Sequence, residues 1–180
     1  GQSLIKPQVL MHLAVAQAEN KAFPHMLFHG GAGGGKTTFA RTIAHEMGVE
    51  FRELTSGSLE KPGDLAVQVA TMAGREILFI DEVHALGASK RKEVAEMLYV
   101  VMEDSQLTIV PRIQKDESLL DIIQSGNDRD RKAITIPLPR FTILGATTHI
   151  GLVPKPLLDR FQVVLQLQDY TIDDLTEITL

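Results

Sequence analysis

The sequence contains no cysteine and no tryptophan, and only two of its 180 residues are tyrosine. Without cysteine, disulfide bonds, thiolate catalysis and cysteine-ligated zinc are excluded, and we expect a protein of the reducing cytoplasm. The shortage of tryptophan and tyrosine leaves little material for stacking against nucleic-acid bases. A basic excess is also absent. Because the formal net charge is −5, any contact with DNA must be local or lie elsewhere.

Long apolar runs are absent too, since none approaches the roughly 18 residues of a membrane span, and we expect no membrane partner. The chain does have 44% hydrophobic and 23% charged residues, which is typical of a globular domain with a substantial core. Its last residues, DYTIDDLTEITL, read as the start of a helix. We therefore expect one domain, residues 1–180, that is a fragment of a longer protein.

Helical and strand-like patterns alternate along the chain. Helices are predicted at about residues 7–21, 36–47, 62–73, 90–104 and 156–161. Strands are predicted at HMLFHG, EFRELT, EILFIDE, FTILGATT and VVLQLQ. This alternation predicts an α/β fold with a central parallel five-stranded sheet flanked by helices.

The densest glycine cluster follows the first predicted strand. Gly30 and the run Gly35-Lys36-Thr37 satisfy the phosphate-loop pattern G-x-x-x-x-G-K-S/T between a strand and a helix. Glycines let backbone N–H groups approach a polyphosphate, and the helix N-terminus adds partial positive charge. Lys36 would reach the β and γ phosphates, and Thr37 would offer its hydroxyl to Mg²⁺. We therefore predict an ATP site formed by Gly31, Ala32, Gly33, Gly34, Gly35, Lys36, Thr37 and Thr38.

A second acidic element follows the strand ILFI. Asp81 ends that strand, where its carboxylate could hold Mg²⁺, and Glu82 comes directly after it. A carboxylate in that position can orient or deprotonate an attacking water. Alone, an acidic pair after a strand is usually a solvated turn. Together with Lys36 and Thr37, the pair predicts phosphoryl transfer to water, that is, an ATPase.

Two later residues extend this predicted site. Thr147 and Thr148 end the strand FTILGATT, where a hydroxyl could sense the γ-phosphate, although two hydroxyls capping the next turn explain the pair equally well. Arg160 lies in PLLDRF, just before the last strand. An isolated arginine there is usually a surface charge, but in ring ATPases an arginine near this strand reaches the neighbouring subunit's nucleotide.

The order of several segments carries a resemblance that covers nearly the whole chain. The segments are GGAGGGKTT, TSGSLEKPGDLA, ILFIDEVHAL, LYVVMED and FTILGATTHIGLVPKPLLDRF. In this order they resemble the N-terminal ATPase domain of the RuvB family, the AAA+ motors of Holliday-junction branch migration. TSG followed by KPGD, and GATT followed by GL and PL, are more particular to that family than to AAA+ proteins in general.

The resemblance implies roles for the residues already singled out. Lys36 and Thr37 would bind nucleotide and Mg²⁺, with Asp81 on the metal and Glu82 on the water. Thr148 would be the sensor and Arg160 the finger that acts on the next subunit. The family works as a hexameric ring on four-way DNA with a junction-binding partner protein. A lid domain and a winged-helix DNA-binding domain would then follow residue 180.

The chain departs from the family pattern in two places. The family loop usually has prolines and a leucine where this chain has Gly31, Ala32 and Gly34, so the loop here is predicted to be less ordered. Leu158 stands where the family normally has a further arginine. Arg160 is then the one finger candidate in that segment.

The longest departure is the region 106–140, a predicted hairpin insertion. LTIV and AITIPL look like its two arms, but about 22 residues lie between them, more than a hairpin turn needs. The family hairpin docks the partner protein. The stretch 111–132 carries five basic and five acidic residues and an apolar group at Leu119, Leu120, Ile122 and Ile123. Docking of a protein and packing on its own domain both explain that group.

Two other functions remain open at this point. A clamp-loader or helicase-loader subunit would have the same AAA+ fold and would remodel a protein partner. A nucleotide-dependent assembly switch would bind ATP with little turnover, although Glu82 argues against it. The six histidines, at 12, 25, 29, 45, 84 and 149, are scattered without ligand-like spacing, so we predict no metal site from them.

Overall fold

The computed structural model describes residues 5–109 and 133–168. Its helices are α1 (Lys6–Ala18), α2 (Lys36–Met47), α3 (Pro62–Ala70), α4 (Lys92–Asp104) and α5 (Lys155–Leu158). Its strands are β1 (Met26–His29), β2 (Phe51–Thr55), β3 (Ile77–Asp81), β4 (Gln106–Ile109), β5 (Ile134–Pro137), β6 (Thr142–Thr147) and β7 (Val163–Gln166). The predicted stretch 111–132, with its apolar group, and the expected helix start after residue 168 lie outside the described residues.

Five of the described strands form one parallel sheet in the order β2-β3-β6-β1-β7. The predicted five-stranded parallel sheet is therefore confirmed. In this order β6 lies between β3 and β1. Since all strands run the same way, the residues that follow β1, β3 and β6 meet at one edge of the sheet.

Alternating side chains divide the core into two layers, one on each face of the sheet. On β3, Ile77 and Phe79 pack with residues of α1 and α2, whereas Leu78 and Ile80 pack with residues of α3 and α4. All four are fully buried. A strand covered on both faces reads as a continuous apolar run, which is why ILFI was recognisable in the sequence.

Most helix boundaries agree with the sequence pattern to within two residues, but three helices end a few residues early, among them α5, which ends at Leu158 and not near Phe161. Helix α2 ends at Gly48, whose φ of 63° is left-handed, as the glycine there predicted. Helix α1 stops at Ala18 and not near Lys21, because Asn20 adopts φ 51° and breaks the helical backbone. Helix α3 likewise ends at Ala70, before the predicted Ala73.

The arms of the predicted hairpin are confirmed. Strands β4 and β5 pair antiparallel, with Thr108 opposite Thr135 and their hydroxyl oxygens 3.1 Å apart. Leu107 is buried against the α3 and α4 layer, which fixes the hairpin to the domain. Ile134 and Ile136 are 53% and 38% exposed, so β5 presents apolar side chains outward.

The amino end of the sheet is closed by a buried polar cluster. His25 accepts a hydrogen bond from the Ile143 N–H at 2.9 Å, and the Thr142 hydroxyl donates to the Phe23 carbonyl at 2.6 Å. Burial lowers the pKa of His25 to about 4, so the imidazole is neutral in the folded chain. Within the described ranges, no helix has the length and apolar character that crossing a membrane requires.

Candidate nucleotide-binding site

The loop between β1 and α2 adopts a backbone that only glycine tolerates easily. Gly33 and Gly35 have φ of 77° and 76°, in the left-handed region. A Cβ at Gly30 would collide with the carbonyl oxygen of Leu167, just past β7. Leu167 N–H in turn donates to the His29 carbonyl at 2.8 Å. The glycines thus let the loop turn sharply and lie directly against the end of β7.

Lys36, the first residue of α2, spans the mouth of this loop. Its ammonium donates to the Gly30 carbonyl at 3.0 Å and to the Gly31 carbonyl at 2.7 Å. Only 8% of Lys36 is exposed, so the charge is held in place by the loop backbone. Thr37 and Thr38 follow in the first turn of α2, where the helix dipole adds positive potential. The loop and the first turn of α2 therefore place positive charge at their end of the site before any ligand enters.

The end of β3 faces this loop. The Asp81 carboxylate accepts the Glu82 N–H at 2.9 Å, and the Asp81 carbonyl accepts the Ser56 hydroxyl at 2.9 Å. Glu82 has φ 54° and ψ 44°, a left-handed conformation that a non-glycine residue rarely adopts. This backbone turns the chain into a 3-10 turn at Val83–Gly87. The carboxylates of Asp81 and Glu82 therefore lie next to each other at the carboxyl end of β3, and each has its own contacts.

A hydrogen-bond network connects Glu82 to the end of β6. Thr148 Oγ1 lies 3.3 Å from Glu82 Oε2, and His84 Nδ1 lies 3.0 Å from the same oxygen. His84 Nδ1 also lies 3.0 Å from Thr147 Oγ1, and in the tautomer that carries hydrogen on Nδ1 the ring donates to the Glu82 carboxylate. Thr148 has one hydroxyl proton, which it donates to Glu82. His149 Nδ1, 2.8 Å from Thr148 Oγ1, is then a donor as well.

These residues surround one cleft of about 340 Å³. Its lining consists of Ala32, Gly33, Gly34, Gly35, Lys36, Thr37, Thr38, Asp81, Glu82 and Thr148. Of the residues predicted to bind nucleotide, only Gly31 is absent from that lining, and its carbonyl still holds Lys36. His84 and His149, which no pattern in the sequence brought together, lie here with ring centroids 5.1 Å apart.

Arg160 lies outside the cleft that these residues line. Its guanidinium donates to the Tyr99 carbonyl at 3.2 Å and the Pro156 carbonyl at 2.7 Å, and pairs with Glu103 at 2.5 Å. It also stacks 4.8 Å above the Tyr99 ring. Burial raises the pKa of the Tyr99 phenol, and the Arg160 charge opposes that rise. Arg160 is therefore bound to α4 and does not contribute to the cleft of its own chain.

A glycine loop opening a helix, set against an acidic strand end in a parallel sheet, defines this chain as a P-loop NTPase domain. The FIGL-1 AAA domain, solved in complex with ADP, shares the fold with a TM-score of 0.69 at 16% identity, over 99% of this chain and 57% of that one. The match to a protein family is more specific than this fold class. The chain belongs to the Holliday junction DNA helicase RuvB P-loop domain family, whose model matches residues 1–167.

Individual relatives agree with that assignment. The Holliday junction branch migration complex subunit RuvB of Limosilactobacillus reuteri (strain DSM 20016) is 39% identical over 178 residues, which is 99% of this chain and 47% of that protein. The Thermotoga maritima RuvB Holliday junction branch migration motor is 31% identical with a TM-score of 0.75, over 99% of this chain and 49% of that one. The chain thus spans about half the length of these relatives.

Proposed function

We propose that this chain is the ATP-hydrolysing base domain of a RuvB-type motor that drives Holliday-junction branch migration in recombination and repair. The observation that carries the proposal is the meeting of Lys36, Thr37, Asp81, Glu82 and Thr148 around one cleft. A nucleotide-dependent assembly switch needs the phosphate loop but has no use for a water-activating carboxylate. The family and the names of the relatives supply the junction as substrate.

The donor set of the cleft fits a nucleoside triphosphate with Mg²⁺. The Lys36 ammonium, now bonded to loop carbonyls, lies where β and γ phosphate oxygens would replace those acceptors. The Thr37 hydroxyl and the Asp81 carboxylate are hard oxygen donors, the type that Mg²⁺ prefers. Thr37 and Asp81 would hold the Mg²⁺, which would supply positive charge against the negative charge of the phosphates.

We assign Glu82 to the attacking water and Thr148 to the γ-phosphate. The single Thr148 proton is donated to Glu82 in this structure, so a phosphate oxygen would compete with Glu82 for it. Nucleotide binding would then break the Thr148–Glu82 hydrogen bond. Glu82 would keep the His84 contact on one side and become free to accept a proton from water.

We propose that Arg160 acts on the nucleotide of the neighbouring subunit in a homohexameric ring. Its position supports this, because it lies outside the cleft of its own chain and is bound to Glu103 and Tyr99. Delivery of a guanidinium to another subunit's γ-phosphate stabilises the charge of the transition state. Turnover would then require assembly.

The remaining partners rest on the family. We propose that four-way DNA is contacted mainly by other parts of the full protein, since this chain is acidic overall. The hairpin β4–β5 would dock the junction-binding partner through the exposed side chains of Ile134 and Ile136. We propose a cytoplasmic location, in keeping with the family's action on DNA.

The test is ATP turnover by the full-length protein over a range of protein concentrations, with a four-way junction and with linear duplex of equal length. We expect the rate per chain to rise with concentration, because Arg160 acts between subunits, and the junction to stimulate more than the duplex. The Glu82→Gln variant should bind nucleotide but turn over about 10²- to 10⁴-fold more slowly.

Two outcomes would contradict these assignments. A rate proportional to protein concentration, with no response to either DNA, would contradict the branch-migration proposal and favour a loader or an assembly switch. Full turnover by Glu82→Gln would remove Glu82 from the reaction.

A further inference from the structure

Three side chains at the rim of the cleft form a group with the donor atoms of a transition-metal site. Glu82, His84 and His149 each offer one ligand atom, and these atoms lie within 4.8 Å of one another. In the part of the chain that the structure describes, this is the one such group of histidine and acidic side chains. Glu82 and His84 are half-buried and His149 is exposed, so an ion from solvent can reach all three.

The fold itself brings the group together. Glu82 and His84 belong to the turn that follows β3, and His149 follows β6. Strands β3 and β6 are neighbours in the sheet, with Ile80 opposite Gly145 near their carboxyl ends. The backbones that carry the three ligands are thus fixed relative to each other, and little chain entropy is lost when an ion binds.

The spacing suits a small four-coordinate ion. Ligands about 2.0–2.1 Å from a tetrahedral ion lie roughly 3.3 Å from each other. His84 Nδ1 and Glu82 Oε2 are already 3.0 Å apart, and the ion would take the place of the hydrogen between them, the ring then carrying its hydrogen on Nε2. The His149 side chain is exposed and can rotate without disturbing the core. This rotation would bring its ring nitrogen to ligand distance from the other two ligand atoms. Only modest side-chain movement is needed.

The chemical type of the three ligand atoms determines which metal ions the group would bind. Two imidazoles and one carboxylate are the ligands of Zn²⁺ and its neighbours, whereas Mg²⁺ prefers oxygen donors only. Three protein ligands also leave a fourth position for water. This set is therefore different in kind from the Thr37 and Asp81 oxygens, which also line the cleft.

We propose that Glu82, His84 and His149 form a binding site for a Zn²⁺-class ion, and that occupation of this site stops ATP hydrolysis while nucleotide still binds. The ion would take the carboxylate of Glu82 and leave Lys36 and the phosphate loop unchanged. The second half of this proposal rests on the proposed function, because it assigns Glu82 to the attacking water.

The first experiment measures metal binding alone, without nucleotide and with Mg²⁺ in excess. The full-length protein is titrated with Zn²⁺ against a chromophoric chelator, and with Co²⁺ followed by its tetrahedral visible absorption. We expect one such site per chain, weakened at least tenfold in His149→Ala and in His84→Ala. The matched control is His45→Ala, since the His45 side chain is 88% exposed near the end of α2, away from the cleft.

Unchanged Zn²⁺ affinity in His149→Ala and His84→Ala, with their circular dichroism and melting temperature retained, would overturn the site. Loss of binding in His45→Ala to the same extent would do so as well, because the ion would then bind surface histidines in general. Absence of any site tighter than that of free imidazole also contradicts the proposal.

The second experiment measures turnover and nucleotide affinity against Zn²⁺ concentration, each variant being compared with its own metal-free rate. We expect at least tenfold inhibition with nucleotide affinity unchanged, and a tenfold higher Zn²⁺ requirement in His149→Ala but not in His45→Ala. Equal inhibition of all variants would place the ion on the nucleotide and overturn the inhibitory role. Zn²⁺ binding that depends on His149 in a protein without ATP turnover would support the site and contradict the proposed function.

Discussion

Prolines placed at positions 31 and 32 of the phosphate loop should tighten nucleotide binding. Neither residue has a positive φ, and neither backbone N–H donates a hydrogen bond among the described residues. A proline at each position therefore removes no contact seen in this structure. What it removes is freedom of the empty loop, which must be lost when phosphate binds.

The size of the effect follows from the number of positions changed. Each compatible replacement by proline contributes about 0.4–1 kcal/mol by restricting the flexible state. Two such changes give about 0.8–2 kcal/mol, which corresponds to roughly a 4- to 30-fold lower Kd. The gain should appear in Kd for ADP and ATP alike, because it concerns ordering of the loop and not the γ-phosphate.

The assay is titration of the double variant Gly31→Pro, Ala32→Pro with a fluorescent nucleotide, alongside the unaltered chain. Gly33→Ala is the control of opposite sign, because its φ of 77° penalises any side chain and binding should weaken. Unchanged or weaker binding in the double variant, with its melting temperature retained, would refute the argument that loop freedom limits affinity.

Three further results are expected. Mixing Arg160→Ala with Lys36→Ala should restore ATP turnover that neither variant has alone, and no restoration would rule out action between subunits. Gly145→Ala should cost about 1–3 kcal/mol, measured by denaturant titration, because the added Cβ would lie 2.8 Å from the Phe161 ring; unchanged stability would show that the ring can move away. Unfolded His25 binds a proton near pH 6.5 and the folded residue near pH 4, so stability should fall by up to about 3 kcal/mol as pH drops across that window. His25→Gln should show a shallower fall, and an equal fall would assign the effect to other groups.

The sequence could predict the parts of the site that are local in the chain. The phosphate loop is one continuous stretch with fixed spacing, so Lys36 and Thr37 were assigned from pattern alone. The apolar run before Asp81 predicted a buried strand of the parallel sheet, and that strand was confirmed as β3. Helix ends were less accurate, because the left-handed residue Asn20 ends α1 without a glycine or proline to signal it.

Contacts between distant segments could not be predicted in this way. His84 and His149 meet only because β3 and β6 are adjacent, and strand order is not written in any single stretch of sequence. The same holds for Arg160, whose partners Tyr99 and Glu103 belong to α4. Its position before the last strand was recognisable, but its attachment to its own domain was not.

The contact between Gly30 and Leu167 joins the phosphate loop directly to the backbone at the end of β7. Because there is no room for even a Cβ between them, a shift of residue 30 on phosphate binding must displace the backbone at the end of β7. The link runs from backbone to backbone, with the His29 carbonyl bonded to the Leu167 N–H beside it. Substituting side chains along β7 should therefore leave this transmission intact, because the link between the phosphate loop and Leu167 uses backbone atoms only.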